Sequence, residues 1–160
     1  NESNFPDLNG DLLTNCLESF KMPPGRGEIL SLNKFKIIDD SYNANPESVK
    51  AALDHLSCFK KYRKFFVFGD MKELGDNEES FHSEIGQYAD GKTDILFTIG
   101  KLAKNAQSNS NNFALSLHFN DNFSLLEKLT ELLTDGDIIL IKGSRSMQLD
   151  QLIDELKNVK

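Results

Sequence analysis

The sequence lacks the features of several large protein classes. Its two cysteines, Cys16 and Cys58, show no CxxC spacing, so a disulfide framework or a metal site is not expected and the thiols are predicted to be buried or half-buried. No apolar run approaches the roughly 20 residues that cross a bilayer, and residues 1–10 do not have the basic and then apolar character of a signal peptide. These absences predict a cytoplasmic protein with no membrane insertion.

Positive charge is also scarce. The 160 residues carry 18 Lys and Arg against 25 Asp and Glu, a formal net charge of −7, which leaves no positive field for nucleic acid or an anionic membrane. Three sequence signatures are missing as well: the GxxxxGK(S/T) phosphate-binding loop, the GxGxxG dinucleotide loop and the GxSxG nucleophile elbow. Without these motifs the chain alone cannot cradle a triphosphate, and hydrolase chemistry has little support. Because positive charge is scarce, small molecules or other protein domains are the expected partners.

What is present suits one compact α/β domain. Apolar residues make up 39% of the chain and include 12 phenylalanines, enough for a single core. Apolar runs rich in β-branched and aromatic residues predict strands at Phe65–Phe68, Ile95–Ile99, Phe113–Phe119 and Ile138–Ile141. Amphipathic spacing predicts helices at Pro46–Cys58, Glu79–Tyr88, Asn122–Leu133 and Met147–Leu156. This alternation predicts a Rossmann-like, mainly parallel sheet with helices on both faces, and the polar stretch Asn105–Asn112 is expected to be a surface insertion.

The beginning of the chain departs from this alternation. Two short β-prone runs, Glu28–Leu32 and Lys34–Asp39, predict an antiparallel or edge strand pair at the start of the sheet. Ahead of them, an amphipathic helix predicted over Asp11–Phe20 is stopped by a Pro-Pro-Gly sequence. We therefore assign residues 23–160 to the domain and residues 1–22 to the tail of a preceding one.

The loop at residues 39–46 leaves a predicted strand at the carboxyl edge of the sheet, where open parallel sheets bind their ligands. An aspartate there can accept hydrogen bonds from both hydroxyls of a ribose, Tyr42 can stack on a ring, and Asn45 can cap the next helix. Taken alone, the loop is explained better by a capped turn in which Asp and Asn satisfy backbone donors.

The loop Gly69–Gly75 also follows a strand and holds an acid and a base between two glycines. These residues could orient a partner or a substrate, although a solvated surface loop would have the same sequence. His82 lies on the next predicted helix, and no Cys or His stands at metal-ligand spacing from it. A capping or packing histidine is therefore favoured over a metal ligand.

The loop Lys142–Met147 follows the last predicted strand and concentrates two cations, two hydroxyls and a glycine before a helix. Such a loop suits a carboxylate or a phosphate, because arginine offers a fork of donors, lysine a point charge and the helix start its backbone N–H groups. In an acidic protein, cations concentrated at the end of one strand are hard to explain as ordinary solvated surface residues. From the residues alone, a binding loop and a solvated loop remain equally open.

Three segments together resemble a known family. They are DDSYNANPESVKAAL at residues 39–53, FGDMKELG at residues 68–75 followed by His82, and IKGSRSM at residues 141–147. In this order and spacing they resemble the C-terminal domain of the Mur ligase family, from about residue 24 to the end of the chain. Members have an N-terminal domain for a UDP-sugar peptide, a central ATPase domain with the phosphate-binding loop, and this Rossmann-like third domain. The resemblance implies that residues 1–22 belong to the central ATPase domain.

The resemblance implies an activity for the whole enzyme rather than for this chain. A ligase dependent on ATP and Mg²⁺ would form an acyl phosphate on the terminal carboxylate of UDP-MurNAc-tripeptide, and the amine of D-Ala-D-Ala would attack it. ATP and Mg²⁺ would be held mainly by the missing central domain. The implied enzyme is a cytoplasmic monomer of peptidoglycan synthesis, and this chain would be inactive without its N-terminal and central domains.

The resemblance also implies roles for individual residues, none of them catalytic within this chain. Arg26 matches a hinge-region arginine that reaches the nucleotide, and Asp40 matches the carboxylate on the ribose. The same nucleotide-binding side would include Tyr42, Asn43 and Asn45. The substrate-binding side, which faces the dipeptide, would include Lys142, Ser144, Arg145 and His82.

Two other interpretations use the same residues. A Rossmann-like or receiver-type regulatory module would need early acids and a late lysine, which Asp39, Asp40 and Lys142 supply. It would also need a lone aspartate after a middle strand, for which Asp70 is the candidate, but it gives the YNANP sequence no role. A sibling ligase with another amino-acid substrate is the third interpretation, and the KGSR sequence argues against it.

Overall fold

A computed structural model describes residues 23–32, 34–107 and 112–159. Within these residues the strands are β1 (Glu28–Ser31), β2 (Phe35–Asp40), β3 (Arg63–Gly69), β4 (Ile95–Ile99), β5 (Leu115–Phe119) and β6 (Asp137–Lys142). The helices are α1 (Pro46–Ser57), α2 (Glu78–Ala89), α3 (Asn122–Leu132) and α4 (Leu149–Lys157). None of these helices is both long and apolar enough to cross a membrane. The predicted helix at Asp11–Phe20, Cys16 and the tail assigned to residues 1–22 lie outside the described residues.

The strands form one sheet in the order β1-β2-β6-β3-β4-β5. β1 pairs with β2 in antiparallel orientation, and every other neighbouring pair is parallel. The predicted fold class, a mainly parallel sheet that starts with an antiparallel edge pair, is confirmed. Since β6 lies between β2 and β3, the carboxyl ends of these three strands lie side by side, and Asp40 stands opposite Lys142 in register.

Helices cover both faces of the sheet, as the alternating pattern predicts. On one face, α1 and α2 pack apolar side chains such as Val49, Leu53 and Ile85 against Phe66 and Phe68. On the other face, α3 and α4 pack against the remaining strand side chains. All six residues of β6 are buried, because it is a central strand with helices above and below it.

Local sequence sets the start of α1. The Asn45 side chain accepts a hydrogen bond from the Ser48 backbone N–H at 2.8 Å, and Ser48 Oγ accepts one from the Asn45 N–H at 3.1 Å. Pro46 occupies the first helical turn, where a missing N–H breaks no helical hydrogen bond. This reciprocal capping box fixes the angle at which the chain leaves β2 and enters the helix.

Three details differ from the sequence predictions. β5 begins later than predicted, because Phe113 packs in the opposite apolar cluster from Leu115. A short 3-10 turn over Arg145–Met147 and a left-handed backbone at Gln148 (φ +51°) delay the start of α4 by two residues. Cys58 is exposed at the end of α1, so the predicted burial of this thiol is wrong.

The predicted surface insertion at Asn105–Asn112 also needs correction at its start. Ala103–Ala106 form a 3-10 turn with buried ends, and residues 108–111 lie outside the described part of the chain. The Ala106 carbonyl packs on α2 at Gly86, where a Cβ atom would come within 1.9 Å of that oxygen. Glycine at position 86 is therefore what allows the helix and the turn to touch.

Candidate functional site

Three clefts lie along the carboxyl edge of β2, β6 and β3, and Tyr42 lines all of them. The first, called the Asp40 cleft, has a volume of about 230 Å³, and its lining includes Arg26, Asp40, Tyr42, Asn43, Asn45 and Lys142. The second, called the Ser144 cleft, has a volume of about 250 Å³, and its lining includes Lys72, Glu73, Ser144 and Arg145. The five residues predicted for the nucleotide-binding side thus lie together, and their binding of nucleotide stays a prediction.

A buried ion pair lies in the Asp40 cleft. Lys142 donates hydrogen bonds to Asp40 Oδ2 at 2.6 Å and to the Asn43 carbonyl oxygen at 2.9 Å. The lysine side chain is 2% exposed and the aspartate side chain 20%, so the carboxylate remains reachable from the cleft. Burial raises the pKa of Asp40 above its usual value, and the hydrogen bond and charge of Lys142 oppose this effect. The sequence grouped Lys142 with the substrate-binding side, whereas the structure places its ammonium with the nucleotide-side residues.

The other polar side chains of this loop mostly hold its own backbone. Asp39 is buried and accepts hydrogen bonds from the N–H and Oγ of Ser41, at 3.1 and 2.7 Å. Asn43 Oδ1 accepts one from the following backbone N–H at 2.9 Å, and Asn45 caps α1. The capped-turn interpretation therefore holds for Asp39, Asn43 and Asn45, while Asp40 is the carboxylate that lines the Asp40 cleft.

Arg26 and Tyr42 form the exposed rim of the Asp40 cleft. The Arg26 guanidinium lies over the Tyr42 ring, 4.3 Å from its centroid, a cation–π contact that orients both side chains. Gly25 adopts a left-handed backbone (φ +74°), its carbonyl accepts a hydrogen bond from the Tyr42 N–H at 3.0 Å, and a Cβ atom there would lie 3.1 Å from Tyr42. The segment before β1 is thus fastened to the loop after β2, which brings Arg26 into the same cleft as Asp40.

The Ser144 cleft is built by two loops that hydrogen bond to each other. The Lys72 N–H donates to Ser144 Oγ at 2.8 Å, and the Ser144 N–H donates to the Asp70 carbonyl oxygen at 2.9 Å. Ser144 is buried, whereas Lys72, Glu73 and Arg145 are exposed. The sequence analysis noted an acid and a base in the loop Gly69–Gly75 but did not place Lys72 and Glu73 with Ser144 and Arg145. Their position directly after a strand, at the carboxyl edge, was the signal that could have done so.

Asp70 anchors the loop after β3. Its buried carboxylate accepts hydrogen bonds from the N–H groups of Leu102 and Ala103, at 2.9 and 2.8 Å, and from Lys72 Nζ at 2.9 Å. Burial raises the pKa of Asp70, but these hydrogen bonds outweigh it, so the pKa lies below its usual value. A Cβ atom at Gly100 would come within 2.4 Å of the same carboxylate. A carboxylate enclosed in this way is not available as the acceptor that the receiver-type interpretation needs.

His82 holds the same loop against α2. The Met71 N–H donates to its Nε2 at 2.8 Å, so we assign a neutral ring whose Nδ1–H donates to the Glu78 carbonyl oxygen at 2.6 Å. Burial lowers the pKa of His82, which favours this neutral form. Both ring nitrogens are therefore engaged within the fold. The geometry supports the packing role that the sequence favoured, and it leaves the substrate-binding role implied for His82 without a ring nitrogen to perform it.

Residues 25–145 match the family described as "Mur ligase, glutamate ligase domain". The chain belongs to this family. The matched segment contains all six described strands, the loops at residues 39–46 and Gly69–Gly75, and the loop after β6 as far as Arg145. The resemblance that the three sequence segments carry is therefore confirmed at the level of the Mur ligase family.

Individual Mur ligases match over most of this chain. It is 37% identical over 147 residues to the UDP-N-acetylmuramoyl-tripeptide--D-alanyl-D-alanine ligase of Bacillus subtilis, covering 88% of this chain and 32% of that protein. A structure of MurF ligase from Thermotoga maritima in complex with ADP superposes with a TM-score of 0.77 at 28% identity, over 88% of this chain and 32% of that one. MurF from Acinetobacter baumannii gives a TM-score of 0.82 at 26% identity, over 94% and 34%. The chain thus spans about a third of the length of these relatives.

The described part of the Mur ligase domain offers no group of three or more His, Cys, Asp and Glu side chains that could hold a metal ion.

A wider depression of about 680 Å³ lies against α3, with Phe119, Leu126 and Glu131 in its lining. It contains none of the residues predicted for either side of the site. The side chains that the sequence predicts for the site line the clefts at the sheet edge instead, apart from the buried His82.

Acidification should destabilise the Mur ligase domain through His82. Burial places the pKa of this residue in the folded state below the unfolded value of about 6.5. The contribution of His82 to the free energy of unfolding is therefore complete above about pH 6.5. It declines as the pH falls below that value, by up to about 1.4 kcal/mol per pH unit, until the folded form also binds a proton. We expect the free energy of unfolding, measured with urea, to fall between pH 7.5 and pH 5.5, and to fall by about 1 kcal/mol less for His82→Gln than for the wild type.

The control for this experiment is His55→Gln, which changes an exposed histidine on α1. This variant should keep the pH dependence of the wild type. If His82→Gln and the wild type lost stability equally on acidification, the imidazole would not have the buried, neutral environment described above.

Proposed function

We propose that this chain is the nucleotide-gripping C-terminal domain of a ligase that adds D-Ala-D-Ala to UDP-MurNAc-tripeptide. The observation that carries the proposal is the Asp40 cleft, where an acidic, a cationic and an aromatic side chain lie together at the carboxyl edge of a parallel sheet. Relatives named for this activity support the choice of substrates. In this proposal the whole enzyme is a cytoplasmic monomer, and the chain alone is inactive.

Each side chain of the Asp40 cleft suits one part of a nucleotide. The Asp40 carboxylate, 20% exposed, can accept hydrogen bonds from ribose hydroxyls. Arg26 can fork onto phosphate oxygens, and the exposed ring of Tyr42 can shield the edge of a ring. Lys142 fixes the orientation of Asp40 through their ion pair, so we assign it to positioning rather than to direct contact.

The Asp40 cleft is too small to enclose ATP alone. Pockets that bury a small molecule usually have volumes of about 300–1,000 Å³, and this cleft has about 230 Å³. The sequence also has no phosphate-binding loop. We therefore place ATP between this domain and a central ATPase domain. In this proposal that domain also holds Mg²⁺, together with the phosphates of the nucleotide.

Closure of two domains around ATP would explain why the residues proposed to bind the nucleotide lie on a separate domain. In the proposed reaction, the γ-phosphoryl group of ATP passes to the tripeptide carboxylate, which gives an acyl phosphate and releases ADP. The dipeptide amine then attacks the acyl carbon, loses a proton and displaces phosphate to form the amide. Water that reaches the acyl phosphate would hydrolyse it. The residues of this chain bind and orient the nucleotide and exclude water in the closed state.

Arg26→Ala and Asp40→Asn in the full-length ligase should each raise the KM for ATP about tenfold, because each removes a hydrogen bond that involves a charged group. The KM for the dipeptide should change little, and steady-state phosphate release measures both constants. Asp54→Asn, which changes an exposed carboxylate on α1, is the control and should behave as the wild type. An unchanged KM for ATP in both cleft variants, or turnover by the 160-residue chain unaided, would refute the proposal.

A further inference from the structure

We propose that the groove between α3 and α4 binds a basic amphipathic helix of another protein. This α3–α4 groove has a volume of about 360 Å³, and its lining consists of Asn122, Phe123, Leu126, Gln151, Leu152 and Glu155. None of these residues lines the three clefts of the sheet edge. The groove therefore serves an interaction separate from nucleotide binding, and the proposed function is not needed for it.

The shape of the groove comes from two helices that lie side by side. α3 follows β5 and α4 follows β6, so both helices begin at the carboxyl edge of the sheet and pack on the same face. Phe123 and Leu126 are three residues apart on α3, and Leu152 and Glu155 are three apart on α4. Residues at this spacing lie on one side of a helix, so each helix presents a row of side chains to the groove. A third helix can lay its apolar side between two such rows.

The groove has an apolar floor and an aromatic rim. Leu152 is buried against the sheet, and Leu126 is half-buried. Phe123 is 69% exposed, which makes it the most exposed of the large apolar side chains in the described ranges. An aromatic side chain left in water beside an apolar groove is typical of an interaction surface, where aromatic residues contribute much of the binding energy.

Unpaired carboxylates give the groove an acidic border. Lys128 and Lys157 are each paired with an acid of their own helix. The carboxylates of Glu127 and Glu155 form no ion pair or hydrogen bond with any residue that the structure describes. Glu155 lines the groove, and Glu127 directly follows Leu126. A partner with Lys or Arg beside its apolar side chains therefore fits the groove, whereas an acidic partner is repelled.

The same charge argument disfavours occupants from this chain. A second copy has a net charge of −7, and residues 1–22 contain more acidic than basic residues. Asn122 adds a polar contact for a foreign partner. In the described part of the chain its Oδ1 is buried without a hydrogen-bond partner, and no hydrogen bond holds its amide. Because buried polar atoms are nearly always paired, this amide is available to turn and accept a donor from a bound Lys or Arg.

Titration of the 160-residue chain with a synthetic peptide tests the proposal. The probe is a peptide of leucine and lysine, about four helical turns long, with its leucines at helical spacing and one tryptophan among them. Its fluorescence is free of background, because the chain contains no tryptophan. A scrambled peptide of the same composition and a peptide with glutamate in place of lysine should each bind at least about tenfold more weakly.

Two variants locate the binding site of the peptide. Phe123→Ser removes the aromatic rim and Glu155→Lys reverses the charge in the groove, so each should weaken binding about tenfold. Ile29→Ser on β1 and Glu79→Lys on α2 make the same changes at exposed residues elsewhere, and they should bind as the wild type does. Urea unfolding of each variant checks that it remains folded. No binding by the wild type, or equal binding by the wild type and both groove variants, would overturn the proposal.

Two other occupants would give different results. If a second copy fills the groove, sedimentation of the wild type depends on concentration and that of Phe123→Ser does not. If residues 1–22 fill it, a synthetic peptide of that segment binds more tightly than the leucine–lysine peptide and loses affinity with Phe123→Ser. Either result would overturn the assignment to a basic partner. The KM for ATP, which tests the proposed function, does not depend on any of these outcomes.

Discussion

Lys142→Met is expected to lower the free energy of unfolding of the domain by about 3 kcal/mol. The variant keeps most of the side-chain volume but removes the cation that contacts Asp40 and the Asn43 carbonyl oxygen. Removing one partner of a buried ion pair costs about 3–5 kcal/mol, because the other charge stays poorly solvated. The 20% exposure of the Asp40 side chain places the expected loss at the lower end of that range. Urea unfolding of the 160-residue chain measures it.

A double variant shows whether the loss comes from the unpaired charge. Asp40→Asn combined with Lys142→Met removes both charges, so it should recover about half of the lost stability. Lys101→Met changes an exposed lysine and should stay within about 0.5 kcal/mol of the wild type. If Lys142→Met alone and the double variant unfolded at the same urea concentration, the unpaired charge of Asp40 would not be the cause of the lost stability.

Gly86→Ala is expected to destabilise the domain by about 3 kcal/mol, against the usual trend for helices. In a helix interior, alanine is normally more stable than glycine by roughly 0.5–1 kcal/mol. Here the new methyl group would lie 1.9 Å from the Ala106 carbonyl oxygen and 2.6 Å from its carbon, so α2 or the 3-10 turn has to move. Overpacking costs about 1–3 kcal/mol, and a backbone obstacle cannot rotate away as a side chain can, which favours the upper end.

Gln87→Ala is the matched control for this substitution, because the next residue of α2 is exposed. It should be as stable as the wild type or slightly more stable. The two variants can be compared in the same urea titration. A Gly86→Ala protein at least as stable as the wild type would show that α2 and the turn at Ala103–Ala106 do not touch in solution.

The fold class follows from the order of the apolar runs, but the order of the strands in the sheet does not. Phe65–Phe68 and Ile138–Ile141 are both short, apolar and buried on two faces, so neither run by itself selects its neighbours. β6 takes its place between β2 and β3 only through pairing across a long sequence separation. The start of β5 is similar, because Phe113 is apolar enough to extend the strand and only packing shows that it belongs to the opposite cluster.

The site was predictable where a loop follows a strand and less so where contacts join separate loops. Arg26 and Asp40, which the sequence groups on the nucleotide side, line one cleft, and their binding of nucleotide stays a prediction. Lys142 is the last residue of β6 and stands opposite Asp40 in the strand register. Its ammonium therefore lies with Asp40, although Lys142 and Ser144 are close in sequence. His82 accepts a backbone N–H from a preceding loop, a contact that no sequence spacing specifies.

Synthesis from the N-terminus makes β6, a central strand, the last of the six described strands to be made. Asp40 and Lys142 are separated by 102 residues, and β2 and β3 have no strand between them until β6 has been made. Until then the facing edges of β2 and β3 lack the partner that they have in the folded domain, and unpaired strand edges favour aggregation. Because Lys142 forms part of the Asp40 cleft, a polypeptide that ends before β6 cannot assemble this cleft.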